Sequence, residues 1–66
     1  MKSNEQIKQE LEKEYEELNK KYLKLDNFLW TEEFKQLPQL HQDLLNLQND
    51  AMNNYCYILQ MRIKNL

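Results

Sequence analysis

With 66 residues, nine basic and eleven acidic side chains, a net charge of −2, one cysteine, one histidine and no glycine, the chain has neither the cysteine pair of a disulfide nor the ligand set of a structural zinc. Its charges alternate instead of gathering into a basic block, which disfavours duplex DNA as a partner, and no apolar run approaches the roughly 20 residues of a membrane span. A single domain over 1–66 removes only about 60% of its unfolded surface from water, so association with further copies is the expected source of the missing stability. A lone cysteine and the lack of a signal peptide point to a reducing cytoplasm.

Ser3 with Gln6 fits a capping box, and Glu5 suits the positive end of the helix that follows. From there Ile7, Leu11, Tyr15, Leu18, Tyr22, Leu25 and Leu29 recur at spacings of four and three, which predicts a helix over about 4–29. At ~100° per residue these positions fall within an arc of about 80°, one contact line and no more. The rest of the helix is charged, with Glu16 to Lys20 and Glu17 to Lys21 in the favourable i, i+4 order of a solvated face.

The stretch "WTEEFKQLP" comes next. Thr31 can cap a short helical turn opening with Glu32 and Glu33, Phe34 and Leu37 are apolar anchors, and Trp30 is either a cap over the hairpin end, the expected role, or an exposed anchor. Pro38, the one proline, suits the start of a second helix over about 38–65, some 40 Å long at 1.5 Å per residue. Two long helices of matched length and a short connection predict an all-α, antiparallel two-helix hairpin with a short helical turn between. The second helix is apolar over an arc of about 220°, from Met61 through Leu47, Leu40, Ile58, Ala51 and Leu44 to Leu59, Met52, Leu45, Ile63 and Cys56. A stripe of 80° cannot cover it. A homo-oligomeric helical bundle is the expected assembly.

Within that apolar arc Gln48, Tyr55 and Arg62 recur every seven residues as one polar stripe. The first helix can cover one flank of the stripe and a second copy the other; Leu45, Met52, Cys56, Leu59 and Ile63 are taken as the oligomer interface. The stripe has three readings. Its polar ends can pair across the interface and fix register, as polar groups do in coiled coils. It can line an inter-subunit pocket in which Arg62 holds a phosphate bidentately, Tyr55 stacks on a base and Gln48 or Asn54 reads a base edge. It can also be a docking face for another protein. Catalysis is not expected: there is no glycine-rich phosphate loop and no His-x-x-x-His pair, and Cys56 and His41 stand fifteen residues apart on one helix, about 22 Å along its axis. No cofactor or metal is expected either.

Glu17, Leu18, Lys21, Leu25, Phe28, Phe34, Leu37 and Pro38, followed by Leu44, Leu45, Gln48, Met52, Tyr55, Leu59, Arg62 and Ile63, form a pattern that resembles a family of very small helical-hairpin proteins of tailed bacteriophages and prophages, related to a protein of crAss-like phage. The likeness spans about three quarters of the chain and departs from the family near the start, where Ile7 and Glu10 replace an aromatic and a basic residue. It implies a phage or prophage origin, action in the host cell cytoplasm, and the hairpin fold. Other small helical phage proteins assemble into oligomers and sequester nucleotide immune signals of the host. By that analogy the expected function is a host-defence antagonist that sequesters a cyclic or linear nucleotide signal between subunits. The alternative is a protein-binding inhibitor or adaptor acting on a host or phage protein; a structural role in virion assembly comes third.

Overall fold

The computed structural model describes residues Met1–Leu66. It contains helix α1 (Asn4–Phe28), the one-turn helix α2 (Glu32–Lys35) and helix α3 (Gln39–Lys64), with α1 and α3 packed side by side as a hairpin. The predicted boundaries of the long helices hold to within about a residue, and their ends show why. At the start of α1 the Ser3 hydroxyl oxygen accepts from the Gln6 backbone N–H at 3.2 Å while the Gln6 side-chain oxygen accepts from the Ser3 N–H at 3.0 Å, the reciprocal pair of a capping box.

Thr31 joins two helices at once. Its hydroxyl donates to the Phe28 carbonyl at the end of α1 (2.7 Å) and accepts from the Phe34 N–H at the start of α2 (3.2 Å), so one side chain satisfies a free group of each terminus. Phe34 is thereby turned inward and buried, edge-on to Phe28 with ring centroids 6.0 Å apart. Pro38 stands at the N-cap of α3, and the Gln42 amide donates to the Leu37 and Lys35 carbonyls (2.8 and 3.1 Å), which ties the connection to the first turn of α3.

The helices run antiparallel: Asn49 donates to Asp26 (3.3 Å) near the closed end, and Gln60 donates to the Tyr15 hydroxyl (2.8 Å) near the open one. The result is a rod 49 Å long. Only Leu11, Phe34, Cys56 and Leu59 are buried, four residues of 66. One chain therefore encloses very little.

Three expectations are corrected here. Leu45, Met52, Cys56, Leu59 and Ile63, taken above as the oligomer interface, form the flank that α1 covers, with Leu59 fully buried, Cys56 buried and the other three half-buried. Helical periodicity locates both flanks of the stripe, but the side on which α1 lies is set by how the connection turns the chain. Trp30 does not fold over the hairpin end and is 82% exposed, because Phe34 already fills that corner. Ion pairs form between Lys2 and Glu10 (2.7 Å) and, within α2, between Lys35 and Glu32 (3.3 Å), while Glu16–Lys20 and Glu17–Lys21 on the charged face of α1 do not close. Exposed pairs gain too little to hold two long side chains in one geometry.

The flank of α3 left uncovered carries Leu40, Leu44, Leu47, Ala51, Ile58 and Met61, spaced four and three apart apart from one gap at Asn54, and every one is exposed.

Candidate functional site

Gln48, Tyr55 and Arg62 lie in line along α3 at the boundary between the flank buried on α1 and the flank that nothing covers. All three are exposed. Asn54, proposed with them, is also exposed but points about 100° away from Tyr55, because neighbouring residues on a helix diverge by that angle. It belongs to the uncovered apolar row and does not join the stripe.

Tyr55 is the centre of the arrangement. Its hydroxyl donates to the Glu14 carboxylate of α1, forty-one residues away in sequence. This bond to a carboxylate, aided by partial desolvation and the nearby Glu14 charge, raises the phenol above its ordinary pKa, with the Arg62 guanidinium acting in the opposite direction. Around the ring lies an open depression of about 200 Å³ lined by Glu14, Glu17, Leu18, Lys21 and Tyr55. Gln48 places its amide nitrogen 3.9 Å from the Met52 sulfur, a weak contact that leaves most of its donor and acceptor capacity free.

The α1 contribution was not anticipated from the sequence. Glu14, Glu17 and Lys21 recur at i, i+3 and i+7 beside the apolar stripe of α1, a row that an antiparallel partner helix must meet, and that spacing was the available signal. A second depression, of about 310 Å³, lies on the outer face of α1 among Lys2, Gln6, Gln9, Glu10 and Lys13. It is lined by no apolar side chain and is crossed by the Lys2–Glu10 ion pair, as expected of a solvated helix face. No three His, Cys, Asp or Glu side chains converge as a metal site. Cys56 is buried against α1, and burial pushes its thiol pKa up, which keeps it protonated and unreactive.

Chemically the stripe offers an aromatic face, a guanidinium and an amide, with Lys21 as a second cation and Glu14 as an acceptor. Its spacing limits what one chain can do with them. Gln48 and Arg62 stand roughly 21 Å apart along the helix axis, so the three side chains of one stripe cannot close on a single small molecule.

Comparison with known proteins gives one match of family scale: the model of the Sequestin family aligns with residues 5–65. No curated protein and no solved structure matches the chain.

Proposed function

The chain belongs to the Sequestin family, and from that membership we propose that it works by sequestration, binding a small molecule and withholding it without transforming it. The observation that carries the reading to a ligand class is the presence of Tyr55 and Arg62 on one line of α3, with Lys21 of α1 beside Tyr55. A tyrosine face stacks on a nucleobase, and a guanidinium grips a phosphate with two parallel hydrogen bonds. The ligand proposed is a cyclic or linear nucleotide used as an immune signal, held between subunits of an oligomer, and the protein is proposed as a phage or prophage antagonist of host defence acting in the host cytoplasm.

Charge decides how such a ligand would lie. Glu14 and Glu17 repel a phosphate, so a phosphate belongs toward Arg62, on the side of Tyr55 away from Glu17 and Lys21. The Glu14 carboxylate, which accepts from Tyr55 in the free protein, is placed to accept instead from a ribose hydroxyl or a base amino group. A second reading, an inhibitor or adaptor that docks on a host or phage protein, is favoured by Trp30, a large aromatic side chain 82% exposed at the hairpin tip.

The test is depletion. The purified protein is incubated with a panel of cyclic and linear nucleotides and removed by filtration, and the filtrate is assayed; heating the retained protein should release the nucleotide chemically intact. Arg62→Lys keeps the charge and loses the planar fork, so affinity should fall by about tenfold or more, whereas Tyr55→Phe keeps the stacking face and should cost less than about tenfold. The reading fails if no nucleotide in the panel is depleted, or if Arg62→Ala leaves the depletion unchanged.

A further inference from the structure

The uncovered row of α3 is long, regular and apolar. Leu40, Leu44, Leu47, Ala51, Ile58 and Met61 occupy six of seven successive a and d positions, with Asn54 at the remaining one, and run roughly 31 Å along the helix. Leu40 and Leu47 are 65% and 64% exposed, in a chain that buries four residues in all. A stripe with this period fits another helix with the same period. The chain itself has none left, since α1 is already occupied by the other flank.

Charge selects which helix, and in which direction. In heptad terms the positions beside the row are Asp43, Asp50, Tyr57 and Lys64 on one edge and His41, Gln48, Tyr55 and Arg62 on the other. The acidic residues stand in the N-terminal half of α3 and Arg62 and Lys64 in the C-terminal half. Two copies of such a helix laid parallel set each edge against the opposite edge of the partner, so Asp43 and Asp50 face the partner's Gln48 and Tyr55 and gain no cation; laid antiparallel, they bring Asp43 opposite the partner's Lys64 twice over, and the helix dipoles oppose as well. Register is limited by the same residues. With Leu44 opposite the partner's Met61 and Leu47 opposite the partner's Ile58, the row is used from Leu44 to Met61 and Leu40 meets the end of the partner's α3. A slip of one heptad in one sense sets the two Asp50 side chains against each other, and in the other sense it leaves Leu40 and Leu44 with nothing opposite and moves Leu47 to the helix end.

We infer that α3 pairs antiparallel with α3 of a second copy through this row, and that the pairing merges the two Gln48–Tyr55–Arg62 stripes into one trough. A two-fold axis across antiparallel helices puts like edges together, so both stripes fall on the same side of the pair. That is also the side on which each α1 lies, so α1 and its mate form the walls, each bringing its own Glu14 and Lys21. In the parallel arrangement the stripes fall on opposite sides and no trough forms. The antiparallel register brings the partner's Gln48 next to Tyr55, replacing a separation along one helix with a contact across two. The pairing stands on α3 alone; only the trough's role as a binding site rests on the sequestration reading above.

Two single-cysteine additions test it, with the buried Cys56 left in place and the wild-type chain as the blank. Asp43→Cys and Lys64→Cys chains are treated with a short bismaleimide, separately and mixed. The mixture should give a covalent dimer. Each variant alone should not, because the two added thiols of a like pair then lie roughly 30 Å apart along the helices. In sedimentation the wild-type chain should run as a dimer, or as a larger assembly built from this pair. Ile58→Glu should reduce it to a monomer that keeps its helical circular dichroism, and if that variant unfolds, the cross-linking pattern decides. Self-cross-linking of either single variant without a mixed product overturns the inference, as does a wild-type chain that stays monomeric at about 100 μM. If the mixed product forms and no nucleotide is depleted, the pairing stands and the sequestration reading falls; depletion by a monomeric chain has the opposite meaning.

Discussion

Tyr55 shows how much a single boundary position carries. Its ring closes one edge of the α1–α3 contact while its hydroxyl is given to Glu14, and that bond makes the phenol harder to ionise. The stability it contributes therefore has a defined pH window. Because the folded-state pKa lies above the unfolded one, the contribution is fully present below the unfolded value, about pH 10, and is lost as pH rises through the folded value. Thermal melts of the wild type and Tyr55→Phe, followed from neutral pH upward, should converge above about pH 10, with the wild type the more stable below it. Cys56 titrates in the same direction for a different reason, burial, but it is common to both chains and drops out of the difference. A gap between the two melts that is independent of pH would show that the Glu14 bond does not form.

At the scale of the helix, α3 has two apolar flanks with different duties. Leu59, fully buried on the α1 side, should destabilise the fold by about 2 to 5 kcal/mol on Leu59→Ala at any protein concentration, while Glu12→Ala on the solvated face of α1 should cost less than about 0.5 kcal/mol. Denaturant titrations followed by circular dichroism measure both. The extent of the helices was legible because capping is local chemistry: Ser3 with Gln6, Thr31 and Pro38 announce their helix ends within a few residues. The assignment of the two flanks was not, since a one-helix projection contains no information about the side a neighbour approaches from. The same limit applies to the site. Gln48, Tyr55 and Arg62 could be aligned from their spacing alone, whereas Glu14, Glu17 and Lys21 join Tyr55 only through the register of α1 against α3. Asn54 was grouped with them through closeness in sequence, which on a helix is not closeness in direction. Trp30 was misplaced because nothing local tells which of several aromatics will fill a corner that has room for one.

Across the whole molecule the burial is uneven along the rod. Phe34 is buried at the closed end beside Phe28, and Leu11, Cys56 and Leu59 are buried well toward the open end. The stretch between is only half-buried and includes Asn49, whose side-chain oxygen is shut off from water and lacks a hydrogen-bond partner. The two buried zones differ in the length of chain that must be looped to form them. Bringing Leu11 to Leu59 costs about 2 kcal/mol more in closure entropy than bringing Phe28 to Phe34, since the first loop is roughly eight times longer. The contact that excludes water most completely is therefore not where folding begins. The aromatic corner should form first, with the helices zipping outward from it and Leu59 sealed last. In stopped-flow kinetics Phe34→Ala should then act mainly by slowing refolding, and Leu59→Ala mainly by speeding unfolding. The part of the chain that holds the native rod together longest would be a different part from the one that lets it be found.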